Sequence, residues 1–411
     1  MQSDTTHPDM PPRLPMAEFV ALIAMLFSTI AFSIDAMLPG LPSIAQELTP
    51  GDINRAQLVV TSFVFGMGVG TFFTGPLSDA FGRRPVLLGG VAVYIFGAFL
   101  AWYSQSAEGL FAGRALQGLG AAGPRVVAMA MVRDLYSGRQ MAKLMSFAMI
   151  VFSLVPAIAP ALGALIIALS SWRGIFMAFM IFSITSAIWV YLRQGETLPR
   201  DQRIPLQAGR FVYALREAFS NRMFVLSTLV QTLIFGLLMA LISSTHQIYD
   251  IQFHREAEFP FWFGASAAIS ASASLINAKL VVRLGMRALI AGALLVQLCV
   301  SLVMIIMTAA DLWPTWLAFP AWFFWSTSLF FMLGFTMGNL NALAMEPMGH
   351  IAGMAASIIG AVSTVIGVAI AAPIGLAFNG SFLPLAVGAV VCTGLGWLIM
   401  GQIKKLERVS Q

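Results

Sequence analysis

Apolar runs of 18 to 29 residues recur along the whole chain, separated by short polar joins. At 1.5 Å per residue, each run is about long enough to cross a roughly 30 Å hydrocarbon layer as a helix. Counting them gives twelve predicted spans, at 17–38, 55–77, 86–103, 110–132, 144–169, 174–192, 224–245, 259–280, 288–309, 316–344, 352–378 and 382–401. The fold class this predicts is an all-α polytopic membrane protein with twelve transmembrane helices. The longest hydrophilic stretch, Arg193 to Arg222, separates six spans from six. The pattern therefore divides into a tail over 1–16, a six-helix half over 17–192, a linker over 193–223, a second six-helix half over 224–401 and a closing tail over 402–411.

Twelve is even, so both termini share a side. With the termini placed inside, 18 of the 23 Lys and Arg residues fall on the cytoplasmic side; Arg55, Arg173 and Arg255 fall outside, and Arg114 and Arg125 lie within a span. That bias predicts cytoplasmic termini. A content of 59% hydrophobic and 10% charged residues excludes a soluble globular domain. The net charge of +5 sits in short loops, where it sets orientation, so no nucleic-acid partner is implied. Cys299 and Cys392 both lie in apolar runs and suggest neither a disulfide framework nor a metal cluster. The first sixteen residues are polar and proline-rich without a cleavage pattern, so the first run reads as a retained helix.

The join between spans 2 and 3 is Gly75-Pro76-Leu77-Ser78-Asp79-Ala80-Phe81-Gly82-Arg83-Arg84-Pro85. It reads as a hinge loop. Gly75 lets helices approach, Pro76 and Pro85 limit backbone freedom, and Gly82 permits a tight turn. Asp79 suits a helix N-terminus, and Arg83 and Arg84 hold the join inside. The stretch resembles the loop between helices 2 and 3 of the major facilitator superfamily. By that resemblance Gly75, Asp79, Gly82, Arg83 and Arg84 form a conformational latch, with Asp79 docking near Ala352 in the outward-open state. A weak repeat accompanies it: Asn277 to Arg287 sits between spans 8 and 9, with Gly285 and Arg287 each 203 residues beyond Gly82 and Arg84. The resemblance implies the major facilitator fold, two six-helix halves with a substrate site between them near the midplane.

An ionisable residue inside the bilayer costs about 2.5 to 3.5 kcal/mol on insertion scales, which makes each one a functional candidate. The spans hold Asp35, Arg114 and Arg125, while His7, His246, His254 and His350 are all expected in the tail or in loops. Asp35 is thus the expected proton carrier, although a carboxylate reaching the interface is the plainer alternative. Its context, Ile34-Asp35-Ala36-Met37-Leu38-Pro39-Gly40-Leu41-Pro42, resembles the first-helix signature of the drug:proton antiporter branch of the bicyclomycin and chloramphenicol resistance type (Bcr/CflA). That resemblance implies a proton-coupling or substrate role for Asp35. Gly113 to Ala122 resembles the superfamily's R-x-x-Q-G-x-G motif, with Arg114 and Gln117 on one helix face and Arg125 three turns further along it. Arg125 departs from the family pattern and reads either as a cavity residue or as a snorkelling side chain. Val155 to Ala164, with Pro156, Pro160 and Gly163, resembles the exporters' helix-5 motif in degraded form. Gln231, Asn339 and Asn341 are polar candidates for the cavity in the second half, with an interhelical hydrogen bond as the alternative for each.

These features predict a proton-coupled secondary transporter of the bacterial inner membrane, exporting small amphipathic compounds by alternating access. The expected partners are a small-molecule substrate, the proton and the lipid bilayer, and the expected state is a monomer. No Walker-type stretch is present, so ATP is not the expected energy source and no cofactor is implied. An anionic metabolite or chelator is the alternative cargo, foreshadowed by two arginines in span 4. A membrane enzyme or receptor is the third reading, disfavoured because the spans lack paired carboxylates, a metal set or a nucleophile–base arrangement.

Overall fold

The computed structural model describes residues 14–410; Gln411 and the start of the N-terminal tail, 1–13 with Arg13, lie outside the described residues. Among the described residues the chain is helical and has no strand. In order the α-helices are α1 (Met16–Asp35), α2 (Leu41–Leu48), α3 (Leu58–Phe81), α4 (Arg83–Tyr103), α5 (Ala107–Leu135), α6 (Gly138–Leu169), α7 (Trp172–Arg193), α8 (Ala208–Ser220), α9 (Arg222–Gln247), α10 (Phe259–Leu284), α11 (Met286–Ala309), α12 (Thr315–Met345), α13 (Ala352–Leu376) and α14 (Leu383–Ser410). Among the described residues, ten stretches are long and apolar enough to cross a membrane. This count differs from twelve at two places. One stretch, Thr315–Leu376, holds both α12 and α13, joined by a 3-10 turn over Glu346–Ile351, and α6 contributes only the shorter apolar segment Leu154–Leu169.

The expected hinge loop is mostly helix. Gly75, Pro76 and Asp79 lie inside α3, which ends only at Gly82 with φ of 101°, and α4 begins at the next residue. Apolar surroundings favour keeping each backbone hydrogen bond inside the helix, so a proline is bridged and only the glycine breaks it. Gly285, its counterpart in the repeat, has φ of 79° and separates α10 from α11 in the same way. The polar stretch in the middle of the chain is also not plain linker. It carries α8, whose Ala214 and Ala218 are buried in a cluster with Phe224, Ala344, Met348, Ile351 and Ala355. Phe211 of α8 meets Phe72 of α3 edge-on at 4.8 Å, so this helix touches elements from both sides of the chain.

The two parts of the chain meet along α3 and α13, where Gly68 lies beside Thr364 and Val365, and Gly75 beside Ser357. They also meet where α6 packs on α10, with Gly264 beside Ala157.

Candidate functional site

Arg114 of α5 has no exposed surface. Its Nε donates to the Val59 carbonyl on α3 (2.9 Å), Nη2 to the Ser33 carbonyl on α1 (3.0 Å) and Nη1 to Gln117 Oε1 (2.7 Å). The Phe63 ring covers the guanidinium at 4.4 Å. Arg114 and the equally buried Gln117 have no exposed surface in this arrangement. Carbonyl dipoles and an aromatic face compensate the charge, and the side chain pins α1, α3 and α5 together.

Asp35 ends α1 and is 4% exposed. Among the described residues its carboxyl makes no ion pair or hydrogen bond, and neither span-4 arginine neutralises it. Beyond it the chain turns through a 3-10 segment, Leu38–Gly40, into α2. Gly163 of α6 lies so close to the Ala36 carbonyl that a Cβ there would overlap it, and Pro156 and Pro160 lie inside the same helix. The helix-5 motif therefore packs beside the end of α1 that carries Asp35. Arg125 stands on α5 as an exposed residue whose Nη1 is 4.0 Å from Met67 Sδ on α3.

At the C-terminal end of α3, Arg83 is nearly buried, donating from Nε to Asp134 Oδ2 (2.9 Å) and from Nη1 to Ser78 Oγ (2.8 Å), and pairing with Asp79. Glu196, after α7, accepts the backbone N–H groups of Arg83 (2.9 Å) and Arg84 (3.2 Å). It caps the first turn of α4, where N–H groups lack helical partners and a negative charge is favoured. Thr197 Oγ1 donates to Asp134 Oδ2 (2.9 Å), and Arg84 donates to the Tyr191 carbonyl. Asp79 pairs with Arg83 here.

The opposite end of α3 holds a cluster the sequence reading passed over. Gln57 is 2% exposed. Its Nε2 donates to Gln247 Oε1 on α9 and to the Gly375 carbonyl on α13 (3.1 Å), while its Oε1 accepts from Ser243 Oγ (3.3 Å) and Ser244 Oγ (3.1 Å). Asn54 Nδ2 donates to the carbonyls of Leu376 (3.1 Å) and Phe378 (2.8 Å). Gly375 has no Cβ at the point where one would strike the Gln57 carboxamide.

A family profile described as Major Facilitator Superfamily matches residues 21–372. The chain belongs to the major facilitator superfamily. It is 28% identical over 402 residues to an MFS-type transporter of Bacillus subtilis, YdgK, covering 97% of each chain. It is 28% identical over 355 residues to a bicyclomycin resistance protein homolog of Haemophilus influenzae (85% of this chain, 86% of that one). It is also 28% identical over 262 residues to the multidrug resistance protein MdtL of Escherichia coli K12 (63% and 65%). These relatives support the likeness to the bicyclomycin-resistance type. Among solved structures, the E. coli xylose transporter XylE in a partially occluded inward-open conformation aligns with a TM-score of 0.71 at 13% identity, over 94% of this chain and 97% of that one. The human organic anion transporter MFSD10 aligns with a TM-score of 0.64 at 18% identity, over 94% and 100%. At these identities the likeness establishes the fold alone. This facilitator is a transporter and not an enzyme.

Its second half holds the remaining sequence candidates in unlike settings. Asn339 donates to Asn277 Oδ1 and to the Phe335 carbonyl, both at 2.9 Å, which ties α12 to α10. Gln231 is 7% exposed and its Oε1 has no partner among the described residues, whereas Asn341 is exposed. One expectation is corrected outright: His246 lies within α9, 1% exposed, edge-on to Phe259 at 4.8 Å. Within that extension Ser243 and Thr245 bond back to the Ala240 and Leu241 carbonyls, which satisfies their buried hydroxyls inside the helix. Asp35 is therefore not the only titratable group buried in a helix of this facilitator.

Proposed function

We propose that this facilitator is a proton-coupled exporter of small amphipathic compounds in a bacterial inner membrane. It crosses twelve times as two halves of six, 17–192 and 224–401, with both termini cytoplasmic. It works as a monomer by alternating access. The observation that carries the reading is Asp35: a buried carboxyl at a helix end, unpaired among the described residues, beside the proline-bearing α6. A carboxylate left there would be expensive, so its proton has to leave only when the surroundings change. That couples proton release to movement of the halves. The relatives named for bicyclomycin and multidrug resistance favour drug-like cargo. On this topology the Gln57 cluster closes the outer end.

Proteoliposomes with an imposed pH gradient test the reading. Asp35→Asn is expected to abolish uphill transport while the protein stays folded and monodisperse. Uphill transport by that variant at the wild-type rate would place the proton carrier elsewhere, with His246 the next to examine.

A further inference from the structure

Arg114 and Arg125 share one helix, yet they are treated oppositely. Eleven residues is three turns plus about 20°, so both point from α5 toward α1 and α3. The other exposed positions of α5, Glu108, Ala112, Leu119 and Arg133, lie about 100° to 160° round the helix from Arg114. Arg125 is thus exposed on the inward face, away from the stripe that α5 otherwise leaves open. Its contact with Met67 of α3 agrees with that direction.

Arg114 spends its donors on fixed carbonyls and a carboxamide; among the described residues Arg125 has only a thioether, a weak acceptor. The carboxylates of the surrounding helices are already engaged. On α1 Glu18 pairs with Arg193, on α3 Asp79 pairs with Arg83, and on α5 Glu108 pairs with Arg55 and Asp134 with Arg83. Asp35 remains, but it lies near the level of Ser33, which Arg114 contacts. Arg125 is eleven residues along the axis from that level, about 16 Å. No carboxylate occurs in α13, the helix facing α3. An exposed guanidinium within a span, with its donors unspent among the described residues, is free to take an anion from outside the chain.

We propose that Arg125 is a specificity residue that receives a carboxylate or comparable acidic group on the cargo. The inference rests on the reading of the molecule as a transporter and names the class of compound it carries. The guanidinium fork can bind a carboxylate through two parallel hydrogen bonds, which a lysine ammonium cannot reproduce.

The test is equilibrium binding to the purified full chain at pH 7, without a pH gradient, so that it succeeds or fails independently of proton coupling. A panel of dansyl amino acids, dansylglycine among them, is titrated beside the methyl ester of each. Wild-type protein is expected to bind at least one acid more tightly than its ester. Arg125→Gln should weaken that acid roughly tenfold or more and its ester less than twofold, with Arg125→Lys recovering little of the loss. A panel in which no acid outbinds its ester overturns the proposal on the wild-type protein alone. Equal weakening of acid and ester by Arg125→Gln overturns it as well.

Discussion

The two ends of α3 solve opposite problems. At the Gln57 end the contacts between elements far apart in the chain, α3 with α9 and α13, are neutral and buried, and the exposed Arg55–Glu108 ion pair beside them stays between α3's approach and α5. At the Arg83 end they are charged, partly open to solvent, and confined to α3, α4, α5 and the stretch after α7. A seal that has to open and re-form is better made of neutral hydrogen bonds, each worth about 0.5 to 1.5 kcal/mol net, than of buried ions that cost several kcal/mol to separate. A network that has to hold four segments together as one body has no such limit, and its ion pairs need not part when the halves move.

The largest effect is expected at the charged end. Arg83→Ala leaves Asp79 and Asp134 facing one another without their shared cation, at a cost of about 3 kcal/mol for the nearly buried pair. Thermal unfolding in detergent should fall by several degrees while the Gln57 end stays sealed. Loss of the seal without loss of stability would erase the distinction between the ends.

At the neutral end, Gln57→Leu removes four hydrogen bonds and is expected to shift the equilibrium from the sealed state by about 2 kcal/mol. The readout is a cysteine placed at the buried Thr61, one turn inside, in a background with Cys299 and Cys392 replaced by serine. Its labelling by an impermeant maleimide should accelerate more than tenfold, with little change in unfolding temperature. A fall in stability at an unchanged labelling rate would make Gln57 a core residue and not a seal.

The smallest effect is expected at the rim. Asn54→Ala removes two bonds to carbonyls from a half-exposed side chain and should raise the same labelling rate a few-fold, for about 1 kcal/mol. An effect larger than that of Gln57→Leu would move the centre of the seal outward to the α13 terminus.

The helices were legible because lipid leaves the backbone no alternative to internal hydrogen bonds, so apolar length alone marks a span. Gly82 and Gly285 were legible too, since each sits at a junction whose positive φ a side chain resists. The join around Gly75 was misread as loop because proline and glycine end helices in water, whereas here α3 runs through both. His246 and Gln247 were placed outside α9 for a related reason: a run of Ser, Thr, His and Gln reads as polar loop until its partners are known.

The sequence by itself determined the superfamily, the helical architecture and the short inventory of charges the spans carry, because each follows from local composition and motif spacing. It could not rank those charges. Arg114 and Arg125 share residue type, helix and face, and only the carbonyls of Ser33 and Val59 around one, and their absence around the other, make the first a pin and the second an open contact. Nor could it find the seal, because Gln57 and Gln247 are 190 residues apart and meet only when α3 packs beside α9 and α13. A hydrogen bond of that kind is decided by where two rigid helices end, and that is a property of the packing.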